Sequence, residues 1–584
     1  MKSMPWRACR YALLASFELF IAYHAVAQTG AAGQATHTYL QIFAQQFSLS
    51  DRKVPRNITA QLNAPSKNEP SAGAGERWRA VPHGLLRLSP EGKSELWAGK
   101  QGLPILGLTA LAAGPDGALW IGSKEGAACF KPDAPPATGG RWWYFWGKRY
   151  LADNAVENIV AERGSAWILT HTGIARIEFR PFDLDQKSAL FIERLQARHN
   201  RYGYVAECDL LRPGDVASYR PAPSDNDGLW TALYVAAECF HYAVTHSPEA
   251  LRNARQSLAA LLRLEAITGI AGFPARALIR KGDYRDPEGE WHWTPDGQWE
   301  WKGDTSSDEL VGHFFAYYVA AKLLPDLSDR AAVAPVAGRI ASHLLDHNLN
   351  LAGPGGRVTR WGRYSPDYFQ TPDGRVDRAL NSLEILSHLR VAYFLTREEK
   401  FLRAYRHLID DTGYLRNVLG FATESPPEVN YSDEELAFLS FYPLLSLEDD
   451  LHLKQEYQRA LEGLWRRTRE ERNPLWNFIY AAGMDAATGY DRQEAREALE
   501  RIPLDAICWT VKNSQRNDLE LAPRSGRFGE KQCRHAIPPN ERRVMKWNGN
   551  PFELDGGNDG RSEDDGAFFL LPYWLGRYHG LASP

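Results

Sequence analysis

Four times along the chain, a short acidic cluster led by serine or threonine runs into a stretch with almost no polar side. Ser224-Asp-Asn-Asp227 precedes Gly-Leu-Trp-Thr-Ala-Leu-Tyr-Val, and Thr305-Ser-Ser-Asp308-Glu309 precedes Leu-Val-Gly-His-Phe-Phe. Ser432-Asp-Glu-Glu435 precedes Leu-Ala-Phe-Leu-Ser-Phe-Tyr, and Ser562-Glu-Asp-Asp565 precedes Gly-Ala-Phe-Phe-Leu-Leu-Pro-Tyr-Trp. A Ser or Thr three residues ahead of an acid has the spacing of a capping box, so each cluster predicts a helix start. A helix that is apolar all round belongs inside an assembly, not on its surface. Segments 248–267, 329–347, 398–411 and 452–469 alternate with these and predict amphipathic helices with charged outer faces. Inner helices are expected to begin near 227, 306, 378, 433, 475 and 564; the fifth, in Asn473-Pro-Leu-Trp-Asn-Phe-Ile-Tyr480, has no capping acid.

Residues 77–182 have another texture, of short apolar runs separated by turn signals. Two of these runs align: Leu108-Thr-Ala-Leu-Ala with Ala118-Leu-Trp-Ile-Gly122, and Val156-Glu-Asn-Ile-Val with Ser165-Ala-Trp-Ile-Leu169. They resemble the two-component-regulator propeller repeat, whose blades carry a Gly-x-Leu-Trp-Ile-Gly-Thr core. A closed propeller needs about four to eight blades, and two to three are visible. The resemblance therefore implies a small β module of incomplete propeller-like blades. Residues 28–76 are polar and read as a flexible lead segment, with a short helix expected at 39–47. Residues 1–27 combine Lys2, Arg7 and Arg10 with an apolar run and Ala25-Val-Ala27, the pattern of a secretory signal. Glu18 within the run leaves an uncleaved anchor as the alternative. The expected location is periplasmic or secreted, with no stable membrane span after cleavage.

From 190 to 584, six acid-initiated inner helices alternating with outer ones resemble the (α/α)6 toroid of six-hairpin glycosidases and related lyases. The resemblance is one of architecture, and no single catalytic family is matched by motif. It implies inner helices running parallel, with all their N-termini at one open end and the acids of distant segments converging at the positive ends of the helix dipoles. Asp225, Asp304, Glu309, Asp433, Glu434 and Asp564 are more acids than capping requires.

Bulk composition narrows the chemistry. The 584 residues are 44% hydrophobic and 24% charged with net charge −4, which marks a globular chain without the basic footprint of a nucleic-acid binder. Six cysteines, five of them beyond residue 27, are scattered without metal-ligand spacing, and sequence cannot pair them. Asp555-Gly-Gly-Asn-Asp-Gly560 has Gly557 and Gly566 where a calcium loop needs ligands. Neither a nucleotide-binding glycine loop nor a Gly-x-Ser-x-Gly elbow occurs, so no cofactor and no metal is expected.

The candidate chemistry is that of carbohydrates. Asp308 or Glu309 paired with Asp433 or Glu434 would supply the two carboxylates of a glycoside hydrolase, one as acid and one as base. Asp227, Asp304 and Asp565 would hold substrate hydroxyls. His313 lies one turn beyond Glu309, and Glu384 with His388 repeats that spacing. In Glu290-Trp-His-Trp-Thr-Pro-Asp-Gly-Gln-Trp-Glu-Trp301, a three-residue turn at Pro295-Asp-Gly297 is expected to pair Trp293 with Trp299 and Trp291 with Trp301. All four indoles would then share one face, as a wall for a sugar ring or as a self-packing ladder. Arg360 and Trp361 lie in an arginine-rich loop that suits an acidic sugar. Two other readings stay open: a polysaccharide lyase or sugar epimerase with Tyr431, His313 or His388 as base and Arg360 as neutraliser, and a non-catalytic glycan-binding or sensor protein. The expected partner is a polysaccharide or oligosaccharide.

Overall fold

A computed structural model describes residues 36–584 apart from 66–69, 73–75, 133–140, 425–428, 485–488 and 544–545. The expected signal at 1–27 lies outside these residues. The chain opens with β1 (Tyr39–Phe47) and a short helix, Arg56–Leu62. Three four-stranded antiparallel sheets follow. The first holds β2 (Ser71–Ala72), β3 (Glu76–Val81), β4 (Gly84–Leu88) and β5 (Ser94–Trp97), and the second holds β6 (Leu108–Ala113), β7 (Leu119–Ser123), β8 (Gly126–Phe130) and β9 (Trp142–Phe145). The third joins β10 (Val156–Glu162), β11 (Ser165–Thr170) and β12 (Ile174–Phe182) to β1, in the order β1-β12-β11-β10.

The segment 39–47 is thus a strand and not a helix. It pairs with β12 from Tyr39↔Phe182 to Phe47↔Ile174. Its aromatic and β-branched residues suit a pleated edge, and β12 would otherwise expose a full row of unpaired backbone groups. The lead segment is ordered in part for the same reason, and Ile58 and Leu62 of the short helix pack on Trp167 and Ile174. The two aligned sequence runs fall on β6–β7 and β10–β11, at matching places in successive sheets, with Trp120 and Trp167 both buried. The middle sheet is apolar on both faces. Trp78, Leu85, Ile121 and Phe130 fill the space on one side, and Trp120, Phe145, Ile168 and Phe179 the space on the other.

Twelve helices of ten residues or more follow among the described residues. They are α1 (Leu184–Arg194), α2 (Asp227–Thr245), α3 (Pro248–Ala266), α4 (Ser307–Leu323), α5 (Leu327–Asp346), α6 (Pro372–Thr396), α7 (Glu399–Asp410), α8 (Tyr431–Leu447), α9 (Leu451–Thr468), α10 (Pro474–Gly483), α11 (Gly489–Arg501) and α12 (Ala567–Tyr578). The even-numbered helices are the apolar ones. Each packs on the next, α2 on α4, α4 on α6, α6 on α8, α8 on α10 and α10 on α12, and α12 returns to α2 to close a ring. The odd-numbered helices lean on this ring from outside. In α4 every residue from Glu309 to Ala320 is buried, as a helix apolar on all sides must be.

Five of the six expected inner-helix starts hold to within three residues, but the one near 378 and the capping chemistry do not. Thr305 donates its hydroxyl to Pro274 O (2.7 Å), and Ser306 at the N-cap of α4 makes no side-chain capping bond. Ser224 donates to Asp227, Ser432 lies inside α8, and Ser562 lies in a strand. Side-chain caps occur where no acid follows at capping-box spacing: Thr371 accepts from Gly374 N and starts α6 six residues early, and Asn473 accepts from Leu475 N and Trp476 N at α10. No described helix is long and apolar enough to cross a membrane, and the five described cysteines are free thiols.

Candidate active site

All four acidic clusters come to one end of the ring. Arg276 ties the first two together, donating to Asn226 Oδ1 (2.9 Å) at the start of α2 and to Asp304 O (3.2 Å) before α4. Across the ring, the charge of Asp308 bears on Glu384 in α6 and on Asp433 and Glu435 in α8, and Asp565 bears on Glu435. The alternation of inner and outer helices produces this meeting, because it keeps the inner helices parallel.

Burial then sorts the acids. Asp308 and Asp433 are half-buried and reach the open end. Burial pushes the Asp433 carboxyl up to about 7, with the charges of Asp377 and Asp308 adding to the effect and the Asn430 hydrogen bond and Arg527 opposing it. Glu435 is pushed up to about 8, again by burial first, with Asp308 and Asp565 adding and Lys546 opposing. A carboxyl held protonated beside a second acid is what proton donation to a leaving group requires.

Glu309 is wholly buried: its carboxyl rests on Gly228 of α2, and burial holds it well above the usual carboxylate range. Glu434 is also buried, hydrogen-bonded to Glu471 and near the Arg467 charge. Neither can meet a substrate, so of the four candidate catalytic acids the geometry leaves Asp308 and Asp433. His313 gives its Nδ1 to Glu309 O (2.6 Å), and His388 stacks on Phe314 at 4.4 Å. Burial lowers these imidazoles to about 4 and about 3. With Glu384, also fully buried, they belong to the core and not to a substrate surface.

The hydroxyl-holding role expected of Asp227 fails for the same reason. Asp227 is fully buried, 2.6 Å from Arg201 Nη2, and accepts from Ser224 N and Oγ at 2.8 Å. Asp565 is spent in part on Ala567 N (2.6 Å) and lies 3.7 Å from Lys546 Nζ. It lines a small recess with Glu435, Lys546, Trp230 and Trp547, in which Lys546 sits 4.2 Å over the Trp230 ring. Tyr431 donates to Asn550 Oδ1 (3.0 Å). A separate cavity of about 500 Å³ lies between the β module and α11, lined by residues such as Tyr39, Trp143 and Arg496, and none of these acids reaches it.

Asp304 has left-handed backbone (φ 48°) and accepts from Arg360 N at 3.0 Å. This bond fixes the arginine-rich strand Val358–Arg363 beside the start of α4, with Arg360 stacked 4.5 Å over Trp361 and both exposed. The tryptophan hairpin forms, but one residue out of the expected register. Trp291 pairs with Lys302, His292 with Trp301 and Trp293 with Glu300, because Thr294 N donates to Trp299 O and widens the turn to four residues. Side chains of paired residues share a face, so Trp299 and Trp301 lie with His292, opposite Trp291 and Trp293. Trp301 is buried against His292 at 4.3 Å, whereas Trp293 is 52% exposed. No four-indole wall exists.

Sequence reasoning passed over Glu435, although it stands in a quoted cluster, and also Asp377 and Lys546. The neighbour of Glu434 carries no separate signal, and Lys546 comes from the irregular stretch between α11 and α12, which has no periodicity to read.

No protein-family model and no curated protein matches the chain. Among solved structures, a glycoside hydrolase family 76 (mannosidase) protein from Bacteroides thetaiotaomicron VPI-5482 overlaps 68% of this chain and 98% of its own, at 9% identity and TM-score 0.35. A metagenome-derived glycoside hydrolase family 9 endoglucanase overlaps 82% and 98%, at 11% identity and TM-score 0.29. A family 76 glycoside hydrolase from a bovine Bacteroides thetaiotaomicron strain overlaps 80% and 94%, at 7% identity and TM-score 0.23. Overlap at that level leaves the function to be read from the site itself.

Proposed function

We propose that the chain is a carbohydrate-active enzyme, a secreted or periplasmic glycoside hydrolase on a six-hairpin (α/α)6 toroid preceded by propeller-like blades. Asp433 is the acid that protonates the leaving oxygen, and Asp308 is its carboxylate partner. The observation that carries this reading is the convergence of these two half-buried acids from α4 and α8, one of them pushed up to about 7. Arg360 and Trp361 flank the start of α4 as substrate contacts, and Glu435, Lys546 and Asp565 line the adjoining recess.

Purified protein incubated with a panel of neutral and acidic polysaccharides tests the proposal when reducing ends and ultraviolet absorbance are read together. Hydrolysis gives reducing ends without absorbance. Reducing ends accompanied by absorbance would transfer the site to a lyase, with Tyr431 as the remaining base because His313 and His388 are sealed in the core. Glycan binding without any turnover would leave a binding module.

A further inference from the structure

Glu563 lies far along the sequence from His199 and Cys208, but the fold gathers the three. Cys208 and Glu563 are direct cross-strand partners where Glu207–Leu210 pairs with Ser562–Glu563. His199 ends a π-helical turn, Leu195–His199, a distortion that often marks functional sites. All three are buried, and one ligand atom of each, the imidazole nitrogen, the thiol sulfur and a carboxylate oxygen, lies within 4.8 Å of the other two. Among the described residues no other group of histidine, cysteine, aspartate and glutamate does this.

One of the three donors makes no directed hydrogen bond. His199 Nδ1 faces Ala206 O at 3.2 Å, and a carbonyl only accepts, so Nδ1 carries the proton. Nε2 stands 3.4 Å from Glu563 Oε2, an ion-pair distance without the alignment of a directed hydrogen bond. Arg198 donates to that carboxylate twice, Nε to Oε2 at 2.6 Å and Nη2 to Oε1 at 2.7 Å. A buried imidazole nitrogen, thiol sulfur and carboxylate oxygen gathered this closely have the donor types and spacing of three arms of a metal site.

We propose that His199, Cys208 and Glu563 bind a divalent transition-metal ion of the zinc class, as a structural clasp on the strand that delivers Asp564 and Asp565 to the open end. A nitrogen, sulfur and oxygen donor set suits zinc-class ions and not magnesium or calcium. Bonds of about 2.0–2.3 Å in a tetrahedral site separate ligand atoms by roughly 3.3–3.8 Å, and the histidine–glutamate pair already stands at 3.4 Å. Arg198 remains on the carboxylate as the outer partner that orients a metal ligand. On binding, the Cys208 S–H bond breaks, its proton passes to solvent and a metal–sulfur bond forms, with no change of oxidation state. Water or another small donor completes the coordination.

The test uses the full chain with any affinity tag removed. Zinc loading followed by elemental analysis is expected to give one bound ion per chain. Cobalt exchanged into the same protein is expected to show a thiolate-to-cobalt charge-transfer band that Cys208→Ser removes while far-ultraviolet circular dichroism is unchanged. A chelator should lower the melting temperature of the wild type. Substoichiometric metal after loading would overturn the proposal, as would a cobalt band that persists in Cys208→Ser. Should Cys208→Ser fail to fold, the wild-type cobalt spectrum decides alone, and its lacking a thiolate band overturns the site.

Discussion

The carboxyl of Glu309 in α4 rests directly on Gly228 in α2, so that a Cβ on Gly228 would overlap Oε2. Gly312 stands one turn on in α4, where a Cβ would come within 2.9 Å of Leu229 Cα. Two glycines therefore set the closest approach of these two inner helices. Gly228→Ala is expected to cost about 1–3 kcal/mol by overpacking. The cost should shrink when Glu309 is already alanine, since the two side chains then no longer compete for one space. Urea unfolding of the two single variants and the double variant measures this coupling.

Asp308→Asn and Asp433→Asn are expected to reduce turnover by about a hundred- to ten-thousand-fold, the usual contribution of general acid–base assistance. Asp308 lies in the first turn of α4 but is not its cap, so the change should cost less than about 1 kcal/mol of stability. Turnover is measured on whichever polysaccharide the panel identifies. Near-normal activity in a folded Asp308→Asn protein would remove it from the mechanism.

Asp227→Ala should behave in the opposite way. It leaves the Arg201 guanidinium buried without its partner, a loss of about 3–5 kcal/mol. Activity per folded molecule should survive, and thermal melts combined with active-fraction assays separate the two effects.

pH dependence follows from the raised carboxyls. Asp433 and Glu435 bind protons more tightly in the folded chain than in the unfolded one, up to about 7 and about 8. Between the ordinary carboxyl range and those values, these two groups hold protons in the native state that the unfolded chain has lost. Their contribution to stability is therefore fully present in acid, is lost as pH rises through about 7 and about 8, and levels off above. Activity that needs the proton on Asp433 should fall above about pH 7, and kcat/KM profiles report this limb. Glu435→Gln should flatten part of the stability loss, read as melting temperature against pH.

Trp361→Ala and Trp301→Ala should part company. Trp361 is 46% exposed at the rim, and its loss should weaken glycan binding with little change in melting temperature. Trp301 is 4% exposed against His292 and Phe273, and truncation should cost about 3–5 kcal/mol.

Hydrophobic periodicity by itself determined the helical half of this protein. All-round apolar runs and amphipathic runs alternate from α2 onward, and a chain so patterned can hide its apolar helices only behind its amphipathic ones. Four of the predicted outer helices, 248–267, 329–347, 398–411 and 452–469, match α3, α5, α7 and α9 within two residues. Short-range rules failed where a distant partner outbid local preference. Residues 39–47 became a strand because β12 offered an edge, the tryptophan hairpin slipped one residue because Thr294 closed a wider turn, and the Ser and Thr of the acidic clusters bonded elsewhere instead of capping.

The acids show the division most clearly. Asp308 and Glu309 are neighbours in sequence with equal claim to chemistry, as are Asp433 and Glu434. On a helix, successive side chains point about a quarter-turn or more apart, so one acid of each pair faces the open end while its neighbour faces another helix. Which one does so depends on how each helix is rotated against its neighbours, and Gly228 helps to set that rotation by admitting Glu309 beneath it. The sequence determined that acids gather at helix starts. Only the packing of one helix against another decided which of them a substrate can reach.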